Sequence, residues 1–181
     1  HNVLNAMAAA VCGLIFDMRH EDIQKGILAF KPSKLRMEFF EGINGMKVIN
    51  DAYNANPDSM MAALNVLSEV EGKRRYAILG DMLELGDTKD EAHLGILRYA
   101  LESSSADSVL TFGGIFKEAV DRWNQSTIGE EVFTQGKVAV SFDKKEDILE
   151  WLRSSVKKDD LVLVKGSRGM KMEQVADGLR K

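Results

Sequence analysis

One cysteine, Cys12, stands among 181 residues, so no disulfide can close within the chain. No cysteine–histidine spacing suits a metal. Cys12 lies in an apolar helical stretch and is expected in a core. This sparing cysteine usage fits a reducing cytoplasm, the expected location. No apolar run is long enough to span a bilayer, and residues 1–16 lack the basic leader of a signal peptide. An excess of one charge is also missing. Lys and Arg number 24 against 28 Asp and Glu, a net charge of −4 with the signs interspersed, which argues against binding nucleic acid or an anionic membrane. Internal repeats and low-complexity segments are absent. So are G-x-x-x-x-G-K-[ST], G-x-G-x-x-G and G-x-S-x-G. Without a complete catalytic apparatus, the chain reads as one half of a two-part site.

What is present is ordinary in bulk: 45% hydrophobic and 29% charged residues, enough for one core and a small extra element. Residues 2–16 carry apolar side chains on nearly every face, as in a buried helix, and Asp22 to Phe30 forms a shorter amphipathic helix. The chain opens at His1, already inside a helical pattern, which suggests a piece of a longer protein. Lys31-Pro32-Ser33-Lys34 breaks the pattern. A domain boundary is expected there, with residues 1–33 ending a preceding domain and 34–181 forming the next.

From Leu35 onward, strands and helices alternate. Strands are predicted at Met37–Phe40, Met46–Ile49, Tyr76–Leu79, Val109–Phe112, Val138–Val140 and Leu161–Val164. Helices are predicted at Pro57–Val70, Glu91–Leu101, Ile115–Trp123, Asp143–Val156 and Met170–Leu179. Asn124–Gly136 reads as an exposed loop. This order predicts an α/β fold with a Rossmann-like, doubly wound, mostly parallel sheet. Short apolar strands such as Leu161-Val162-Leu163-Val164 suit a sheet covered on both faces. Ligands in such folds bind beyond the carboxyl ends of the strands.

The loops at that edge hold the candidate chemistry. In Asn50-Asp51-Ala52-Tyr53-Asn54-Ala55-Asn56-Pro57-Asp58-Ser59-Met60, helix capping accounts for Asn56, Pro57 and Asp58. It leaves Asp51, Tyr53 and Asn54 unexplained, and an acid just past a strand end suits ribose hydroxyls. Lys165-Gly166-Ser167-Arg168-Gly169 is a plausible anion cradle or a plain glycine turn with solvated charges. In Gly80-Asp81-Met82-Leu83-Glu84-Leu85-Gly86, Asp81 and Glu84 suit a metal or an amine, or equally a capped turn. His93 suits a packed or exposed structural role better than catalysis. Asn2 and Asn5 share a helix face from which amides can read an adenine edge. Arg36, at the proposed boundary, suits phosphate charge arriving from another domain.

Together these runs resemble the Mur ligase family, the ATP-dependent amide-forming enzymes of peptidoglycan synthesis, and so of cell-wall growth, shape and division. Asp51 to Met60 resembles a D-x-Y-N-A-N-P-x-S-M signature, and Gly80 to Gly86 with His93 resembles G-D-M-x-E-L-G…H. Lys165-Gly166-Ser167-Arg168 is similar to a K-G-S-R motif. His1-Asn2-Val3-Leu4-Asn5-Ala6 resembles the H-N-x-x-N-A run closing the family's central ATPase domain. The first two signatures are those of the branch that joins D-alanyl-D-alanine to UDP-MurNAc-tripeptide.

The resemblance implies a C-terminal Rossmann-like domain preceded by two helices of the central domain. It also implies ATP as cosubstrate and an acyl-phosphate intermediate. On that footing Asn2 and Asn5 lie near adenine and Arg36 reaches the ATP phosphates. Asp51 holds the ribose, with Tyr53, Asn54 and Asn56 lining the nucleotide and substrate cleft beside Ser59. Lys165, Ser167 and Arg168 orient the dipeptide, with Asp81, Glu84 and His93 as further substrate-side groups. Arg36 and Lys165 are the residues expected to act in catalysis. The family's P-loop, Mg2+ ligands and carbamylated lysine lie upstream of the matching region, so no metal ligand is expected here and this part alone is expected to be inactive. Two alternatives compete: a related Mur or folylpolyglutamate-type ligase with another amine substrate, which the Tyr53-Asn54-Ala55-Asn56-Pro57 run disfavours, and a non-catalytic Rossmann-like binding module.

Overall fold

The computed structural model describes residues 2–30, 34–126, 129 and 136–181. It divides into two compact units, His1–Ser33 and Lys34–Lys181. In the first, α1 (Asn2–Ile15) and α2 (His20–Ala29) form a helical pair. A groove of about 470 Å3 between them is lined by Asn5, Ala9, Ile23 and Phe30 among others. The buried helix expected over residues 2–16 is corrected here, because Val3, Leu4, Met7, Val11 and Phe16 are exposed. Cys12 is likewise exposed rather than in a core. Two short helices bury only the seam between them, and a helix that is apolar all round has too little partner surface in so small a unit.

The second unit is built on a six-stranded sheet in the order β1-β2-β6-β3-β4-β5. Its strands are β1 (Glu38–Glu41), β2 (Lys47–Asp51), β3 (Arg75–Gly80), β4 (Ser108–Phe112), β5 (Val138–Phe142) and β6 (Leu161–Lys165). The edge strand β1 runs antiparallel to β2, and all other pairings are parallel. The helices are α3 (Pro57–Glu69), α4 (Lys89–Arg98), α5 (Gly114–Asn124), α6 (Lys145–Ser155) and α7 (Glu173–Gly178).

Alternation along each strand divides the core in two, because successive side chains point to opposite faces. Ile49, Ala77, Leu79, Val109, Leu161 and Leu163 pack with residues of α3, α4 and α5. Val48, Tyr76, Ile78, Leu110, Val162 and Val164 pack with α6 and α7 on the other face. The sheet is therefore covered on both sides, as the uninterrupted apolar strands require.

The structure moves several predicted boundaries, and one of these matters for function. The β2 strand continues through Asp51 and β6 through Lys165. Both residues thus belong to paired strands rather than to free loops. The predicted helix Glu91–Leu101 starts at Lys89 and ends in a π-turn at Tyr99–Ser103. Met170–Leu179 resolves into a 3-10 turn, Arg168–Met170, and the short α7. The break falls at Lys171, whose φ of 49° departs from helix. Most of the loop expected at Asn124–Gly136 lies outside the described residues.

Candidate functional site

The β2 strand hands over to α3 on one face of the sheet, and the adjacent β6 hands over to α7 on the other. A crevice at such a divergence, beyond the carboxyl ends of parallel strands, is where open α/β sheets bind ligands. Asp51 and Lys165 pair in register across β2 and β6. Both share strand parity with Ile49 and Leu163, which places them on the α3 face.

The Lys165 ammonium is 2.5 Å from Asp51 Oδ2 and donates to the Asn54 carbonyl at 2.9 Å. It is buried, its side chain 3% exposed against 13% for Asp51. The second oxygen of Asp51 accepts the Met37 N–H at 3.1 Å, and the Tyr53 N–H bonds the Leu35 carbonyl at 3.0 Å. The segment leading into β1 is thereby tied to the Asp51 loop. Arg36 lies on the same segment with its guanidinium 3.8 Å from the centre of the Tyr53 ring, a cation–π contact between two exposed groups.

Beneath this loop, the buried Asn50 accepts the Ala52 N–H and donates to Glu38. Burial raises the Glu38 pKa, but the hydrogen bond and charge of Arg180, the Asn50 amide and the Leu35 N–H together outweigh it. Glu38 ends below its ordinary value.

Ser167 joins two loops. Its hydroxyl accepts the Leu83 N–H at 2.8 Å and donates to the Ala55 carbonyl at 3.3 Å. Its own N–H bonds the Asp81 carbonyl. Asp81 is buried, and its carboxylate accepts the N–H groups of Ile115 and Phe116 at 3.1 and 2.8 Å. It neutralises the amino end of α5, where the helix dipole favours an anion. Gly113 makes room for it: at φ 120° a Cβ there would overlap the Asp81 carboxylate.

Asn56 and Ser59 form a reciprocal capping box at the start of α3. The Ser59 hydroxyl also donates to the Asn56 carbonyl, so both side chains are engaged locally. Asn54, Glu84 and Arg168 are exposed at the rim. Arg168 bonds Glu173 at 3.2 Å, and Glu84 takes a left-handed φ of 64°.

The structure therefore gathers Asp51, Tyr53, Asn54, Lys165 and Ser167 at one edge, with Arg36 on Tyr53 and Asp81 beside Ser167. Lys165, Ser167, Asp81, Asn56 and Ser59 are bonded within the fold. Arg36, Tyr53, Asn54, Glu84 and Arg168 present side chains outward. Asn5, exposed on α1, belongs to the first unit; the Asn2 side chain lies outside the described residues. Sequence reasoning missed the Met37 N–H and the Glu38–Asn50 support. Both come from the edge strand β1 and the residue that leads into it, and nothing in their local pattern marks them.

An open, doubly wound sheet with a polar rim at its switch point defines an α/β domain of the kind that binds ligands at that edge. Residues 35–168 match the family described as Mur ligase, glutamate ligase domain, and the chain belongs to that family. Over 184 residues it is 35% identical to the UDP-N-acetylmuramoyl-tripeptide–D-alanyl-D-alanine ligase of Bacillus subtilis, covering 99% of this chain and 38% of that protein. It is similar to the crystal structure of MurF from Acinetobacter baumannii, with a TM-score of 0.79 and 30% identity over 99% of this chain and 37% of that one. It is also similar to the MurF ligase of Thermotoga maritima in complex with ADP, with a TM-score of 0.75 and 25% identity over 98% and 37% of the two chains. The chain thus spans 38% of the length of the Bacillus protein it matches.

Proposed function

We propose that this chain is the C-terminal part of an ATP-dependent ligase that adds D-alanyl-D-alanine to UDP-MurNAc-tripeptide in the cytoplasm. The observation that carries this reading is the gathering of Asp51, Asn54, Lys165 and Ser167 at the β2–β6 crevice, beside the outward Arg36 and Tyr53. In that reading ATP phosphorylates the terminal carboxylate of the tripeptide. The dipeptide amine then attacks the acyl phosphate, and the tetrahedral intermediate releases phosphate. A carboxylate is a poor electrophile, so activation must precede attack, and the charge in flight needs fixed cations and donors.

The chemistry at the crevice fits a nucleotide. The Asp51 carboxylate, held in place by Lys165 and the Met37 N–H, offers acceptors to a ribose diol. The exposed Tyr53 ring, 44% accessible, offers a stacking face, and Arg36 offers an exposed cation for phosphate. Arg168 and Asn54 are the outward groups for the dipeptide, with Glu84 on the same rim for its ammonium. Lys165 and Ser167 shape this surface from below rather than touching substrate. In this reading the Mg2+ ligands are supplied by the upstream domain, and no step is assigned to the metal on this chain. Closure by that domain excludes water from the acyl phosphate.

The test is an amine-substrate screen on the full-length protein with ATP and UDP-MurNAc-tripeptide, read as ADP release and product mass. D-alanyl-D-alanine is the expected substrate. A preference for meso-diaminopimelate, lysine or glutamate would overturn the assignment. Asp51→Ala is expected to raise the KM for ATP.

A further inference from the structure

We propose that His93 is a positioning residue for the amine-substrate side of the reaction, an inference that rests on the ligase reading above. His93 lies on α4 and is fully buried. Its Nδ1 is 2.6 Å from the Lys89 carbonyl, and its Nε2 is 2.9 Å from the Met82 N–H. A carbonyl only accepts and an amide N–H only donates. These partners select one neutral tautomer, protonated at Nδ1 and accepting at Nε2. The ring also packs edge-on against Phe116 of α5 at 4.6 Å.

The consequence lies in the loop after β3. Three successive residues of that loop are held: Asp81 by its carbonyl to the Ser167 N–H, Met82 by His93, and Leu83 by the Ser167 hydroxyl. Leu83 and Glu84 then emerge at the rim, Leu83 against the open face of Gly169, where a Cβ would lie 2.7 Å from its Cδ1. His93 thus fixes the stretch that aims Leu83 at Gly169, the residue after Arg168, and from which Glu84 emerges, although it touches no substrate itself.

The arrangement depends on the proton. A second proton, on Nε2, turns the acceptor into a donor, so the Met82 N–H is expelled and left buried. The charged ring then faces the Asp81 carboxylate, 3.7 Å from Nε2, which already caps α5. Among the described residues, Asp81 is the charged side chain facing the ring; α4 contributes the Lys89 carbonyl and α5 the Phe116 ring.

The experiment uses the full-length ligase and compares wild type with His93→Phe, which keeps the volume but loses the acceptor, and His93→Gln, whose amide oxygen can accept the Met82 N–H. His93→Phe is expected to raise the KM for D-alanyl-D-alanine on the order of tenfold while leaving the KM for ATP within about twofold, and His93→Gln to restore most of the loss. Nitrogen-15 spectra of the labelled histidine are expected to show the Nδ1-protonated neutral ring. Equal shifts in both KM values, no shift, or the opposite tautomer would overturn the proposal. If His93→Phe fails to fold, His93→Gln and the wild-type nitrogen-15 spectra decide. A full-length protein that ligates no amine overturns the ligase reading and this inference with it; a ligase whose dipeptide KM ignores His93 overturns this inference alone.

Discussion

Lys165 has its charge in a place that water scarcely reaches, and its stability there depends on Asp51. Removing one partner of a buried pair leaves the other uncompensated, at a cost of about 3–5 kcal/mol. Asp51→Ala is expected to lose stability of that order in urea unfolding, and Asp51→Ala with Lys165→Met to recover much of it. The reverse logic applies to Thr111, which is fully buried and whose hydroxyl has no hydrogen-bond partner among the described residues. Thr111→Val removes an unsatisfied polar atom at nearly constant shape and is expected to be neutral or stabilising. A loss of more than about 1 kcal/mol in the same assay would show that the hydroxyl has a partner.

At the scale of elements, the site depends on how helices begin. The α3 helix starts with a capping box, and its sequence signal, Asn56 with Ser59 and Pro57, is local. Asn56→Ala is expected to cost about 1 kcal/mol. The start of α5 has no local cap; its N–H groups are met by Asp81 from another loop. Gly113→Ala adds a Cβ where that carboxylate sits, in a backbone region closed to other residues. A loss of about 2–4 kcal/mol is expected. Circular dichroism melts of the two variants would rank the contacts. If Gly113→Ala were the milder, the remote cap would be unimportant. The double glycine at the start of α5 was readable in the sequence, but the identity of the group that Gly113 accommodates was not.

Over the whole molecule, the C-terminal residues close onto the first strand. Arg180 bonds both Glu38 and Asp177, Lys181 pairs with Glu41, and Gly42 bridges Arg180. Because the folded Glu38 has a lowered pKa, its contribution is present above the ordinary glutamate value, about 4.3. It is lost as pH falls through the lower folded value, where the native state must also take up the proton. The acid limb of the stability profile is therefore expected to be shallower in Glu38→Gln than in wild type. An unchanged slope would remove Glu38 from the linkage. At this scale too, α1 follows its helical pattern, yet the burial expected from that pattern is absent, because burial depends on what lies alongside.

The sequence by itself determined the alternation of strands and helices, the two-sided burial of the sheet and the motifs at its carboxyl edge. Each rests on periodicity or on neighbours a few residues away. Only the tertiary structure decided which of those polar groups face outward and which are spent inside. Lys165 meets Asp51, and Ser167 meets Leu83 and Ala55, across separations of 84 to 114 residues. Hydrogen-bond partners at such distances are chosen by strand order and register, and the strand that brings them together, β6, is inserted between β2 and β3 long after both have been passed in the chain.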